Sequence, residues 1–271
     1  MVKDALAGID PVVLVGYRFL IAAALLLPWV AGRRRKPQRL GPAAALASLL
    51  AALYVSQTVG LLYTSASNSG FITGLFILFV PLFLWVFFRQ APTVAQRAAV
   101  ALAVAGLWLL TGGISTFNRG DAWTLISAAT YAGHLLVTDV YVKADADPVL
   151  LAFHQFWMTG VVCTALAAAR GSPMTVASPS IAGVVVFLAV FPTLSGFFIQ
   201  MIAQKRVSPV KVALIFSLEP VFAAIFAWTI GGEPFGAASA LGGGLIVAAM
   251  VVSEWSKLGL DRAFKKEVLP V

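Results

Sequence analysis

Charged residues are scarce in this chain. Of its 271 residues only 11% are Asp, Glu, Lys or Arg, whereas 60% are hydrophobic. Soluble domains carry about a quarter charged residues, so the composition excludes a soluble globular fold and predicts an integral membrane protein. Cysteine occurs once, as Cys163 inside an apolar run, which excludes a framework of disulfides within the chain.

Motifs of enzyme chemistry are also missing. The sequence has no HExxH zinc motif, no phosphate-binding GxxxxGK[ST] loop and no GxSxG nucleophile elbow. The two histidines, His134 and His154, do not have the spacing of metal ligands. We therefore predict no enzyme activity, no metal and no cofactor. Without a soluble domain for ATP hydrolysis, any transport would depend on gradients.

The net charge of +8 does not indicate nucleic-acid binding. The basic residues cluster in short loops between apolar runs, and this placement is typical of the positive-inside rule of membrane proteins. The predicted partner is the lipid bilayer, and no nucleic acid is expected. An all-α protein follows, with apolar segments of spanning length at 11–31, 42–62, 68–88, 94–112, 121–142, 148–169, 181–203, 209–230 and 236–254.

An internal repeat divides the chain. The stretch Asp10-Pro11-Val12 recurs 137 residues later as Asp147-Pro148-Val149, and Pro81 recurs 139 residues later as Pro220. The second copy is preceded by the span 121–142, whereas the first is preceded only by a short stub.

By symmetry we expect one further span upstream of Met1. The sequence contains about nine membrane helices, and the complete architecture would have ten. The expected organisation is a first repeat lacking its first helix, a second repeat and a basic tail, at 1–118, 119–255 and 256–271.

The basic residues also predict the orientation. Nine alternating spans place fifteen of the nineteen Lys and Arg residues on one side and three on the other, with Arg18 inside a span. The rich side, which includes the C-terminus, is predicted to be cytoplasmic. Five spans in a unit would make the two units insert in opposite directions. Such inverted repeats are typical of secondary transporters, with a substrate site near the membrane midplane.

Four features carry a resemblance to a known family: the paired units, the Leu218–Val221 stretch LEPV, the segment Gly232-Glu233-Pro234 and the glycine-rich Gly242–Gly244. In these features the chain resembles the EamA family of the drug/metabolite transporter superfamily. The resemblance covers essentially the whole chain. It implies an inverted repeat of two five-helix units, a central cavity, export of small metabolites such as amino acids, and location in a bacterial inner membrane. The expected departure from the family pattern is the first helix, which by symmetry belongs upstream of Met1.

Ionisable residues inside spans are the first candidates for the cavity, because hydrocarbon tolerates them poorly. Arg18 could hold a carboxylate, or it could extend to the membrane interface. Glu219 could hold an amine or a proton, or it could stabilise the backbone beside Pro220. The prolines Pro81 and Pro220 are expected to bend their helices.

Polar stripes supply the other candidates. Tyr131 and His134 follow helical spacing with Ser127 and Thr138, a pattern that favours a water-lined face over lipid. Helix–helix hydrogen bonds would explain the same stripe. The remaining candidates are Gln57, Trp157 and Gln200, the tryptophan as a stacking surface and the amides as orienting groups.

The leading hypothesis is a secondary exporter of small organic solutes that works by alternating access and is coupled to protons. One alternative is a carrier of anionic sugar or nucleotide cargo, which would need more cavity cations than Arg18. Another is a scaffold or sensor that does not transport. The small-residue faces could pack within one chain or between two, so a homodimer stays open.

Overall fold

The computed structural model describes residues 2–32, 40–113, 117–144, 146–229 and 236–268, with the backbone alone at 67, 220, 223, 224, 227 and 253–268. These residues form helices joined by short turns, without a β-strand. The basic loop 33–39, the Gly232-Glu233-Pro234 segment and the last residues of the tail, all of which support predictions above, lie outside the described residues.

Thirteen α-helices follow one another in the described part of the chain. They are α1 (Val2–Ala5), α2 (Pro11–Ala31), α3 (Leu40–Gly60), α4 (Ala66–Gly74), α5 (Phe76–Phe88), α6 (Val94–Thr111), α7 (Arg119–Lys143), α8 (Pro148–Ala169), α9 (Pro179–Leu188), α10 (Gly196–Gln204), α11 (Pro209–Phe216), α12 (Glu219–Thr229) and α13 (Ala237–Val268). A π-helical segment, Ala189–Ser195, connects α9 to α10.

The predicted membrane spans agree with these helices. Seven stretches of the described chain are long and apolar enough to cross a membrane, and each matches a predicted span to within a few residues. The predicted span 209–230 is divided between α11 and α12, and the span 236–254 is the apolar first part of α13, Ala237–Val252. The prediction of an all-α membrane protein is confirmed.

The repeated Asp-Pro-Val stretches begin two equivalent helices. Asp10 caps α2 by accepting hydrogen bonds from the backbone N–H groups of Val12 and Val13, at 2.8 and 3.2 Å. Asp147 caps α8 in the same way through Val149, at 2.9 Å. Proline at the first helical position suits both sites, because its missing N–H would have no partner there. The repeated sequence therefore forms the same N-terminal cap on both helices.

Glycines bring helices into backbone contact. A Cβ atom built on Gly106 of α6 would lie 2.6 Å from the carbonyl oxygen of Gly242 of α13, and one on Gly242 would lie 2.6 Å from that of Gly106. Gly60 of α3 and Gly120 of α7 have the same reciprocal relationship, at 2.9 and 2.6 Å. Small residues allow such close packing where lipid gives no hydrophobic drive between helices.

Two spans are broken near their middles. The first breaks at Leu75, between α4 and α5, and the second at Ser217 and Leu218, between α11 and α12. The hydroxyl of Ser217 donates to the carbonyl oxygen of Leu214 at 2.6 Å. Pro220 has no N–H for an i−4 hydrogen bond, which favours the second break. Broken helices at membrane depth occur where the freed backbone is buried in protein or lines a cavity.

The two ends of the helix bundle are packed differently. We call them the Asp10 end, where α2, α7 and α9 begin, and the Lys143 end, where α7 finishes. Toward the Lys143 end the helices enclose fully buried apolar side chains, including Leu46, Leu135 and Met201. These side chains pack the interior of the Lys143 half, whereas the cavity described next lies toward the Asp10 end.

Candidate substrate cavity

A cavity of about 440 Å³ lies between the broken helices and α2, α3 and α7. Its lining extends from Val2 and Leu61, at the Asp10 end, to Leu14, Leu53 and neighbouring residues deeper in the bundle. The volume falls within the range of small-molecule sites, roughly 300–1,000 Å³. Five of the seven predicted cavity residues are in its wall: Arg18, Gln57, Tyr131, Gln200 and Glu219.

Arg18 is held at the wall by two elements. Its Nε donates to the hydroxyl of Thr193 in the π-helical segment. Its Nη2 donates to the hydroxyl of Tyr54 at 3.3 Å, and its Cζ lies 4.3 Å from the centroid of the Tyr54 ring. A guanidinium has five N–H donors, and the described residues use two of them. The others remain for an anionic ligand group.

The π-helical turn that receives Arg18 has a local cause. Pro192 cannot donate to the carbonyl of Leu188, which breaks the α-helical pattern. The hydroxyl of Thr193 donates to that carbonyl instead, at 2.8 Å, and Ser195 donates to Val190 at 3.0 Å. Single π-helical turns of this kind are frequent at functional sites.

Glu219 is the first residue of α12, in the middle of a predicted span. Its side chain is exposed because it faces the cavity. A carboxylate at a helix N-terminus is favoured by the helix dipole, typically by about 0.3–1 kcal/mol. Within the described part of the chain, no ion pair joins Glu219 to Arg18 although both line the same chamber. The cavity therefore offers one cationic and one anionic group to a ligand.

A shared wall separates this cavity from a second one of about 350 Å³. Both are lined by Gln57, Thr73, Tyr131, Phe216 and Glu219. The rings of Tyr131 and Phe216 stack with centroids 6.2 Å apart and planes 20° apart. The side-chain amide of Gln57 donates to the hydroxyl of Thr73 at 3.1 Å, which ties α3 to α4 just before the break at Leu75.

Gln200 belongs to a buried amide chain. Its amide donates to the side-chain oxygen of Gln204 at 2.9 Å, and Gln204 donates to the backbone carbonyl of Leu135 at 2.9 Å. Gln200 thus lines the cavity with one of its two amide N–H groups engaged, which leaves the second N–H and the carbonyl oxygen for a ligand.

The structure places two candidates outside the cavity lining. His134 is fully buried: its Nε2 lies 3.0 Å from the side-chain oxygen of Gln155, and its ring packs edge-on against Phe197. Trp157 donates through Nε1 to Nδ1 of His154 at 3.0 Å and packs against the apolar core. Both side chains contact other residues of the protein. The spacing of polar residues in the sequence does not show whether a polar side chain will contact the protein or a ligand.

The two prolines differ in their surroundings. Pro81 lies inside α5 and is buried, so the break of the first span, at Leu75, precedes it. Pro220 is the second residue of α12, directly after the break of the second span, and its side chain lies outside the described side chains. Both spans are broken, but only the second break falls beside its proline, and bending at Pro81 and Pro220 stays a prediction.

Several residues that line the cavity are not predicted by the spacing of polar residues in the sequence. Thr73 is an isolated threonine in an apolar span, and Phe197 and Phe216 look like core residues in sequence. Tyr54 and Thr193 do belong to the polar stripes of their spans, and the structure brings both to Arg18. Thr73 and Phe216 lie in the last turns of α4 and α11, beside breaks that the sequence does not locate.

Taken together, the broken spans and the internal polar chamber define a membrane-embedded helical protein with a cavity of solute size. The profile of the EamA-like transporter family matches residues 1–112 and 118–254. The chain belongs to this family, and the prediction from the Leu218–Val221 stretch and its neighbours is confirmed. It is a multi-pass membrane transporter.

Similar proteins carry transporter names. An uncharacterized transporter of Archaeoglobus fulgidus is 29% identical over 252 residues, which cover 93% of this chain and 79% of the relative. The uncharacterized inner membrane transporter YedA of Escherichia coli K12 is 28% identical over 256 residues, covering 89% and 81%. A crystal structure with 17% identity superimposes with a TM-score of 0.81 and covers 96% of this chain and 92% of that one, which shows a shared fold.

Proposed function

We propose that this transporter is a secondary carrier that exports small organic solutes with both a carboxylate and an amine, of which amino acids are the simplest. The observation that carries the proposal is the presence of Arg18 and Glu219 in one cavity without an ion pair between them. Separated opposite charges can each bind the complementary end of a zwitterion. Arg18 is a buried charge without an ionic partner among the described residues, which is costly and favours a ligand as that partner.

The carrier would consist of two units, 1–118 and 119–255, that insert in opposite directions. The family profile matches two stretches, 1–112 and 118–254, in support of this division. Equivalent helices α2 and α8 begin with the same cap, and the broken spans α4–α5 and α11–α12 both contribute to the cavity. Rocking of such units around a fixed site gives alternating access.

Three buried polar atoms of α7, Ser127 Oγ, His134 Nδ1 and Thr138 Oγ1, have no hydrogen-bond partner among the described residues. Of these, Thr138 lies toward the Lys143 end and supports a second, closed half of the pathway. An unsatisfied buried polar atom costs about 1–3 kcal/mol. In a carrier whose Lys143 half opens in the alternate state, Thr138 would meet water there, which accounts for a polar residue at that depth.

Orientation and coupling complete the proposal. The Lys143 end, at which the basic loops and the tail are predicted from the sequence to lie, would face the cytoplasm. The cavity reaches the opposite end, as expected for the state that releases an exported solute. Glu219 would bind the amine or a proton in turn, which couples export to a proton gradient. Anionic sugar or nucleotide cargo is disfavoured, because Arg18 is the one cation that the described residues place in the cavity wall.

Solute exchange in proteoliposomes tests this function. Purified protein is reconstituted with a metabolite mixture inside, and released solutes are identified by mass spectrometry. We expect release of amino-acid-like zwitterions by the parent and loss of release in the Arg18→Ala, Glu219→Gln double variant. The matched control, Asp139→Asn with Lys143→Gln, removes one negative and one positive charge from a 2.7 Å ion pair outside the cavity. The absence of any released solute with the parent would reject the carrier function.

A further inference from the structure

The second cavity is an apolar annex of the first. Beyond the shared wall it is lined mainly by small or apolar residues, namely Ala66, Gly70, Gly74, Phe76, Leu107 and Leu110. Its two remaining hydroxyls are already used: Thr111 donates to Leu107 at 2.8 Å and Ser217 donates to Leu214 at 2.6 Å, both to backbone carbonyls. The annex therefore offers a ligand apolar surface, apart from the polar groups of the wall it shares.

Gly70 lines the annex and has open space where a side chain would begin. A Cβ atom built on Gly70 meets nothing within 4 Å, whereas one on Gly74, one turn later, would lie 2.9 Å from a methyl group of Leu107. Packing explains the glycine at 74 but not the one at 70. Glycine costs about 1 kcal/mol relative to alanine in a helix interior. At position 70 its effect is to leave the annex open.

The two cavities meet at Glu219. A zwitterion whose carboxylate binds Arg18 and whose amine binds Glu219 therefore has its third substituent beside the annex. The stacked rings of Tyr131 and Phe216 form an apolar surface in the wall between the two spaces. A side chain leaving the charged cavity would pass along these rings.

We propose that the annex is a subsite for the apolar side chain of the transported solute and that Gly70 sets the largest side chain accepted. This inference rests on the proposed function and specifies its substrate class: zwitterions with a bulky apolar substituent. Burial of apolar surface contributes roughly 25 cal/mol per Å², so a filled annex increases affinity with side-chain size.

Protection of introduced cysteines tests the subsite. Gly70→Cys reports on the annex and Gly196→Cys on the first cavity, which contains Arg18 and Glu219. A Cβ at Gly196 would have only the Phe191 carbonyl nearby, at 3.7 Å. Both are made with Cys163→Ala, which removes the single native thiol. Alkylation rates are measured in proteoliposomes with alanine, leucine or phenylalanine. A ligand at about ten times its Kd slows alkylation of an occluded thiol roughly tenfold, because the free fraction falls as 1/(1 + [L]/Kd).

We expect alanine to slow alkylation of Gly196→Cys alone, and leucine and phenylalanine to slow alkylation of both variants. If leucine and phenylalanine protect Gly196→Cys but not Gly70→Cys, or if alanine protects both equally, the subsite is wrong while the carrier stands. If no probe protects either thiol, the amino-acid carrier itself is rejected and the subsite falls with it.

A space-filling variant gives a second readout. Gly70→Leu is expected to abolish exchange of leucine and phenylalanine while alanine exchange persists. The control is Gly183→Leu on α9, where a Cβ also meets nothing within 4 Å and which lines neither cavity. The size limit would be wrong if Gly70→Leu lowered the exchange of all three amino acids equally, or if it left the exchange of leucine and phenylalanine unchanged.

Discussion

Arg18 and Tyr54 fix each other at the wall of the central cavity. The guanidinium carbon lies 4.3 Å from the centroid of the ring, and Nη2 donates to the hydroxyl at 3.3 Å. A desolvated cation over an aromatic face gains about 2 kcal/mol. Because Thr193 holds Nε as well, the guanidinium is oriented before a ligand arrives. This fixed orientation is what the proposed carboxylate site at Arg18 requires.

Replacing Arg18 by lysine should weaken solute binding although the charge is kept. Lysine cannot present the planar fork that binds a carboxylate through two hydrogen bonds, and it loses the contacts with Thr193 and Tyr54. We expect KM for a zwitterionic solute to rise about tenfold, which corresponds to ~1.4 kcal/mol. Initial rates of uptake into proteoliposomes measure this change.

Tyr54→Phe is the matched control for that substitution. It keeps the ring under the guanidinium and removes only the 3.3 Å hydrogen bond from Nη2 to the hydroxyl, whereas the charge, the planar fork and the bond to Thr193 remain. A smaller rise in KM than with Arg18→Lys is expected. Equal KM values for the parent and Arg18→Lys would contradict a carboxylate site at Arg18.

Glu219→Gln should uncouple transport from protons. The amide keeps the size of the side chain but cannot bind or release a proton at any pH. With an imposed pH gradient, the parent is expected to accumulate solute and the variant is not, while thermal unfolding in detergent stays close to that of the parent. Transport equal to the parent across the pH range would reject Glu219 as the coupling group.

Much of this architecture is readable from the sequence because membrane spans follow a simple physical rule. The apolar lengths predict the seven long spans, and the repeated caps at Asp10 and Asp147 predict two equivalent helix starts. The break at Leu75 has no such signal, since glycine and leucine occur throughout intact spans. Pro81 is a misleading marker for it, because a proline inside a helix disturbs the backbone without fixing where the helix ends.

The contact between α6 and α13 should depend on glycine. Gly106→Ala would place a methyl group 2.6 Å from the backbone oxygen of Gly242, and backbone cannot give way as a flexible side chain does. Overpacking of this kind typically costs about 1–3 kcal/mol. We expect a lower midpoint of thermal unfolding in detergent.

Gly133→Ala provides the comparison for that variant. A Cβ at Gly133 has an ordinary contact with Leu49 at 3.5 Å, so its midpoint should be equal or higher because alanine is the better helix former. A Gly106→Ala protein as stable as Gly133→Ala would mean that α6 and α13 are less closely packed.

His134 should matter for stability rather than for proton coupling. Its hydrogen bond to Gln155 is fully buried, and His134→Phe leaves that amide oxygen unsatisfied, at a cost of about 1–3 kcal/mol. The expected result is a lower unfolding midpoint with an unchanged pH profile of transport, the reverse of Glu219→Gln. A flattened pH profile in His134→Phe would instead support the relay that the stripe on α7 allows.

Charged and polar residues show where sequence reasoning reaches its limit. Arg18 and Glu219 stand out because hydrocarbon tolerates charge poorly, and both line the cavity. His134 and Tyr131 belong to one stripe with helical spacing, yet only Tyr131 lines the cavity. Spacing places side chains on one face of a helix, but which part of that face is sealed depends on neighbours such as Phe197 and Gln155 that are distant in sequence.

Accessibility of single cysteines from the two sides of the membrane tests alternating access most directly. Gly196→Cys lies in the open cavity, and Thr138→Cys replaces a fully buried, unpartnered hydroxyl in the sealed half. Each variant, made with Cys163→Ala, is labelled by a membrane-impermeant maleimide added to one side, with and without a transported solute.

We predict that Gly196→Cys is labelled from the Asp10 side and Thr138→Cys from the Lys143 side. Conditions that raise the labelling rate of one variant are expected to lower that of the other. Labelling of both cysteines from the same side, or a Thr138→Cys that stays unreactive while solute transport continues, would contradict alternating access.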